Sequence, residues 1–156
     1  MFRIESEKDL LQAFRPRDRK TLELPEGIKF PLFVRDYLSW TEPAGTRVFL
    51  VLPSPGSRLP MGIAFRRDSQ GGGTGSCMCD WCHSHGSPGE IGLLTTDVNS
   101  KRRVGINVCL DLRCKEKLES AADLSGRHPL EFMAPLMERM VRFAREALRI
   151  ETVPED

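Results

Sequence analysis

The sequence has no apolar run approaching bilayer length. Its amino terminus, MFRIESEKDLLQAF, is acidic and amphipathic where a signal peptide would carry an uninterrupted apolar stretch. It also lacks an excess of either charge: 23 lysines and arginines stand against 22 acidic residues, a formal net charge of +1. That balance argues against a generally cationic nucleic-acid coat, so any basic surface must be local. No paired carboxylates, nucleophile beside a base, or dinucleotide fingerprint stands out. The stretch DSQGGGTGS (68–76) has neither the lysine nor the spacing of a phosphate-binding loop and reads as a flexible linker. These absences predict a cytoplasmic, non-enzymatic chain without a membrane segment. What remains, 156 residues of which 40% are hydrophobic, suits one compact monomeric unit with a real core.

What the sequence does have is unevenly placed cysteine. Three of its five cysteines fall within CMCDWCH (77–83). In a reducing compartment, clustered cysteines are poor disulfide candidates and good metal ligands.

Along the chain, Ser6 suits a helix cap before Leu10, Leu11 and Phe14 at helical spacing. Arg15-Pro16 interrupts that helix, and Pro25-Glu26-Gly27 marks a turn. FPLFVRDYLSW (30–40) is ambiguous between helix and strand, with Phe33, Tyr37 and Trp40 expected in the core. RVFLVL (47–52) and MGIAFRR (61–67) read as neighbouring strands. EIGLLTTDV (90–98) and KRRVGINV (101–108), joined at Asn99-Ser100, read as a hairpin with Val104, Ile106 and Val108 on one face. CLDLRCKEKLESA, from Cys109, repeats Leu110, Cys114 and Leu118 every fourth residue and reads as a short helix opening at a cysteine. The last element runs from about Pro129 to Ile150. Leu130, Met133, Met137, Met140, Val141, Ala144 and Leu148 form its apolar stripe, with Arg142, Arg145, Glu146 and Arg149 opposite. Phe143 is expected in the core.

The ligand pattern is Cys79-x-x-Cys82, 26 residues, then Cys109 and Cys114. A CxxC turn presents two thiolates and a helix start adds two more, completing a four-sulfur shell suited to zinc, although iron can occupy the same shell. Cys77 is the spare: Cys77-x-Cys79 is too tight for a knuckle, and Gly75-Ser76 places Cys77 on the linker. His83 and His85 are rivals, but four cysteines are the preferred set. With no position open for water, such a site is structural rather than catalytic.

A knuckle, a hairpin and a ligand pair at a helix start describe a treble-clef zinc finger. CDWCH and RVGINVCLDLRCKEKL, with a β-containing segment before them and a long helix after, resemble the elongation factor G-binding family, which includes the FusB-type fusidic acid resistance proteins. The resemblance spans roughly residues 30 to 150. It implies an α+β fold: an antiparallel β-containing core, a four-cysteine treble clef and a long carboxy-terminal helix. Cys79, Cys82, Cys109 and Cys114 match the family's Zn2+ ligands. It also implies binding to elongation factor G and help in releasing the factor from stalled ribosomes. The chain has no room before its β-containing region for the separate helical bundle of the resistance proteins, so a shorter relative that touches the translation factor is expected. The expected division is residues 1–70 as the amino-terminal α/β part of the core, 71–125 as the zinc lobe and 126–156 as a helix packing back on the core.

The candidate partner-binding residues are Arg102 and Arg103 on the hairpin, Arg113, Lys115 and Lys117 around the helix, and Trp81 in the knuckle. Trp81 either projects as an interface anchor or packs over the hairpin. The rival reading is an RNA- or ribosome-binding treble clef, in which the same cations meet phosphate. Against it stand the net charge and a lobe whose one aromatic residue is Trp81. Catalysis is disfavoured because the hairpin strands carry no histidine, and His128 is read as a surface or capping residue.

Overall fold

The computed structural model describes residues 2–55, 57, 59–67 and 77–148. The expected linker, 68–76, lies outside them, as does Arg149. Strand β1 (Phe2–Ile4) leads into helix α1 (Glu7–Ala13), which begins where the Ser6 hydroxyl accepts the Asp9 N–H at 3.3 Å. Arg15-Pro16 does end α1, but Pro16 then opens a further single turn, α2 (Pro16–Arg19). Proline is tolerated there because a first-turn residue needs no N–H partner.

The ambiguous segment resolves into two strands, β2 (Leu32–Val34) and β3 (Leu38–Thr41), because each finds an antiparallel partner: β2 pairs with β1, and β3 with β4 (Arg47–Leu52). Of its aromatics, Tyr37 is buried and Trp40 half-buried, but Phe33 is 69% exposed. Phe33 stands on the outer face of the two-stranded β1–β2 sheet with the Arg3 guanidinium over its ring, which corrects its expected place in the core.

Strand β5 (Met61–Arg67) pairs antiparallel with β4 as expected. Next come β6 (Cys77–Met78), β7 (His85–Gly86), β8 (Ile91–Asp97) and β9 (Arg103–Cys109). The main sheet has the order β3-β4-β5-β8-β9, and β6 and β7 form a small ribbon of their own. Helix α3 (Cys114–Ser125) ends at Gly126, whose φ of 70° is the left-handed conformation that glycine adopts without strain. Helix α4 (Pro129–Arg142) is capped by His128 and runs on as a π-helical turn, Phe143–Ala147. No helix among the described residues is long and apolar enough to cross a membrane.

Because side chains alternate along a strand, β4 divides its residues between two apolar clusters. Val48, Leu50 and Leu52 enter the larger one, together with the cysteines and with Met133, Leu136 and Met140 of α4. Phe49 and Val51 enter the smaller one, with Ile4, Leu10 and Phe14. The larger cluster takes residues from β4, β5, the cysteine segment and α4. On α4 the buried stripe includes Leu136, while Leu130, expected within it, is 63% exposed in the first turn.

Candidate metal centre

Cys79, Cys82, Cys109 and Cys114 are buried, and their four Sγ atoms lie within 4.8 Å of one another. Local structure brings each there. Backbone bonds from Cys79 N to Ser84 O (2.9 Å) and from His83 N to Cys79 O (2.8 Å) close the knuckle, with His83 taking up φ 60° to complete the turn. Asp80 N donates to Asn107 O at 2.8 Å and ties the knuckle to β9. Cys109 is the last residue of β9, opposite Ile91, rather than part of a helix start; only Cys114 opens α3. Between them Leu112, at φ 54°, turns the chain, and Asp111 Oδ1 accepts the Arg113 N–H at 3.1 Å.

Cys79 Sγ lies 3.8 Å from Cys114 Sγ, and Cys82 Sγ lies 3.7 Å from Cys109 Sγ. Four thiolates at about 2.3 Å from a tetrahedral zinc would be about 3.8 Å apart, so the sulfur set fits the ion. Without a cation the four thiols must share protons. Bonds from Cys109 and then Cys114 hold the Cys79 thiol down to about 7 and Cys82 lower still. Cys114 is pushed up, chiefly by Cys109; for Cys109 the largest single influence, the bond with Cys114, lowers it, but Cys79, Cys82 and burial together outweigh that bond and push it up. A divalent ion lets all four be thiolates at once. Lys117 Nζ at 3.2 Å from Cys109 Sγ and the Cys82 N–H at 3.4 Å from Cys79 Sγ offset part of the negative charge that remains.

Cys77 stays outside the set. It pairs with Gly86 as the first residue of the β6–β7 ribbon, which corrects its expected place on the linker. His83 and His85 are exposed and also outside the cluster.

Trp81 is corrected as a contact residue, because it is only 1% exposed. Its ring meets Phe65 at 6.0 Å and Phe143 at 5.8 Å, both edge-on, and its carbonyl accepts from Arg139 Nη1 at 2.6 Å. The knuckle is thereby fastened to α4. Lys115 is likewise engaged internally: Nζ bonds Tyr37 O at 3.0 Å and reaches Asp36 Oδ1 at 3.4 Å. Arg102, Arg103 and Arg113 are exposed.

The support of α3 from residues 35–37 was not legible in the sequence. Tyr37 OH donates to Leu112 O at 2.6 Å and accepts the Lys115 N–H at 3.0 Å, while Arg35 pairs with both Asp36 and Glu119. Burial raises the Tyr37 hydroxyl's pKa, which keeps it a donor. No spacing rule links residue 37 to residue 112; the one available signal was the chain's single tyrosine, set directly after Arg35 and Asp36.

A family model described as the FBP C-terminal treble-clef zinc-finger matches residues 8–150. No curated protein matches the chain. A knuckle, a hairpin and a helix converge on four thiols within that matched span, and the sulfur set fits zinc. The chain therefore belongs to the FBP C-terminal treble-clef zinc-finger family.

Proposed function

We propose that this zinc protein binds elongation factor G through its treble-clef lobe and promotes release of the factor from the ribosome, without catalysing a covalent step. Cys79, Cys82, Cys109 and Cys114 hold the zinc, and Arg102, Arg103 and Arg113 form the basic face that meets the factor. The observation that carries this reading is the buried four-thiol cluster within the span matched to a domain of FusB-type elongation factor G-binding proteins. A shell filled by four sulfurs leaves no place for a reacting water, which supports a structural role for the metal. The three arginines are exposed; Arg113 directly precedes the ligand Cys114, while Arg102 and Arg103 lie at the opposite end of β9 from the ligand Cys109. Lys115 and Lys117 contribute from beneath, one braced on Tyr37 and the other on a ligand sulfur.

The test is calorimetric titration of the zinc-loaded chain into purified elongation factor G, at about 0.15 M salt with excess unrelated RNA present. A saturable one-to-one isotherm is expected. It should weaken roughly tenfold, about 1.4 kcal/mol, in Arg102→Ala/Arg113→Ala, a variant whose zinc content should be unchanged. Absence of heat at several temperatures, and of a complex by mobility, would overturn the reading.

A further inference from the structure

We infer that the cavity between α2 and the main sheet is a binding site for clustered phosphate groups, supplied by an RNA strand or by a free oligophosphate. The cavity has a volume of about 290 Å³, and its walls carry Arg17 from α2 and Lys20 just after it, Arg47 from β4, Arg66 from β5 and Arg103 from β9. In a chain whose net charge is only +1, that concentration of cations needs a physical reason.

The strand register sharpens the point. Arg47 lies directly opposite Arg66, and Arg66 directly opposite Thr95, so all three side chains leave the same face of the sheet. Like charges facing each other across a strand pair are destabilising, and folding alone gains nothing from them. The cavity's acidic residues relieve them only at a distance, since each is paired directly with another arginine. Asp18 is bound by Arg15 at 2.9 Å and Asp97 by Arg103 at 3.0 Å. Among the described residues, Arg17, Lys20, Arg47 and Arg66 make no ion pair.

The cavity is also held in shape before any ligand arrives. Arg15 reaches from the start of α2 to the carbonyls of Asp97 (2.6 Å) and Val98 (3.1 Å), clamping the helix to the end of β8. Asp97 reports the convergence of the field. Its carboxyl is held below the ordinary carboxylate range first by the Arg103 hydrogen bond, with Arg66 and Arg17 adding to the effect.

The lining selects for phosphate rather than for a base or an apolar anchor. Guanidinium forks match phosphate oxygens. The aromatic residue in the lining, Phe65, turns its ring into the core against Trp81 and Phe143, so no stacking platform faces the cavity. Apart from Arg103, which both include, the site's cations are separate from the proposed factor-binding face. The site lies at the turn end of β9, about 20 Å along an extended strand from Cys109.

The test uses the zinc-loaded full chain and three probes: an RNA duplex over a salt series, inorganic tripolyphosphate, and poly-glutamate. RNA affinity should fall with salt, and Arg47→Gln/Arg66→Gln and Arg17→Gln/Lys20→Gln should each weaken binding tenfold or more. Each pair should reduce the log–log salt slope by about 2, roughly one per lost phosphate contact. Arg127→Gln, an exposed cation elsewhere, should leave binding unchanged. Binding of RNA alone identifies a nucleic-acid strand as the source, and binding of tripolyphosphate alone identifies a free oligophosphate; both support the site. Because Arg47→Gln/Arg66→Gln removes a like-charge opposition, its melting temperature without ligand should stay level or rise. A fall would make the arginines structural and overturn the proposal. So would failure of both phosphate probes to bind, equal binding of poly-glutamate, or binding that the cavity variants leave intact.

Discussion

The two faces of β4 look into two differently built interiors. On one, Val48, Leu50 and Leu52 share a core with four thiols, and the side chains around them come from β5, β8, β9, α3 and α4. On the other, Phe49 and Val51 meet Ile4, Leu10 and Phe14 in a cluster of aliphatic and aromatic side chains alone. The first depends on a coordinate bond network with polar braces, the second on close contact. Phe14 packs edge-on to Phe49 at 6.1 Å and Trp40 at 6.0 Å, and lies so near Gly62 that a Cβ there would sit 2.7 Å from its ring. One sheet thus carries a metal-dependent half and a metal-independent half back to back.

The largest effect expected is on the metal-dependent half. Structural zinc contributes on the order of 10 kcal/mol, which rivals the whole stability of a domain this size. Chelation, or Cys114→Ser, should abolish zinc binding and collapse hydrogen-exchange protection in β9, α3 and the knuckle. Amides of α1 and β4 should lose less. Uniform loss across both halves would show that the division between the two interiors has no energetic meaning.

Next comes Phe14→Ala, which removes a fully buried ring from the metal-independent half and should cost about 3–5 kcal/mol. Zinc stoichiometry should remain one per chain by elemental analysis. Loss of zinc from this variant would break the comparison, because the smaller cluster would then be holding the thiols in place.

Tyr37→Phe probes the joint between the cysteine segment and the strands before it. It leaves the Leu112 carbonyl and the Lys115 N–H without their shared partner, at a cost of about 1–3 kcal/mol. Zinc affinity should fall with stability here, unlike in Phe14→Ala, since both orphaned groups lie between Cys109 and the first turn of α3. Chelator competition on the two variants separates the cases.

Legibility in the sequence follows the same divide. Cys79, Cys82, Cys109 and Cys114 could be read from spacing because coordination demands particular atoms at particular intervals, and the β8–β9 hairpin could be read from alternation about Asn99-Ser100. Placing Cys109 at a strand end depended on its pairing with Ile91, a tertiary fact. The helical repeat of Leu110, Cys114 and Leu118 was genuine only from Cys114 onward. Residues 30–40 were ambiguous because Phe33, Tyr37 and Trp40 fit a helical face, while the strands exist only through pairing with β1 and β4. Trp81 could be weighed but not decided from its neighbours, since Phe65 and Phe143, which bury it, are remote in sequence. The cavity cations were hidden for the same reason: Arg47 and Arg66 become opposites only in register.

The smallest effect belongs to the surface of the hairpin, where Arg103 and Asp97 are paired at 3.0 Å and both are more than a third exposed. Solvent screening limits such a pair to about 0–1 kcal/mol, so Arg103→Ala should scarcely move the melting temperature at neutral pH. The sign of its pH dependence is nevertheless fixed. Arg103 lowers the folded-state pKa of Asp97, so the pair's stabilisation is fully present above the unfolded carboxyl value of about 3.9. It is lost as pH falls through the lower folded value. Acid also protonates the cysteines and releases metal, so the quantity to measure is the difference between the unaltered chain and Arg103→Ala at each pH, not either alone. That small difference should close as the solution is acidified below about pH 4. A difference that persists there would mean that Arg103 acts through a partner other than the Asp97 carboxylate. The hairpin surface would then be coupled to one of the two interiors instead of lying outside both.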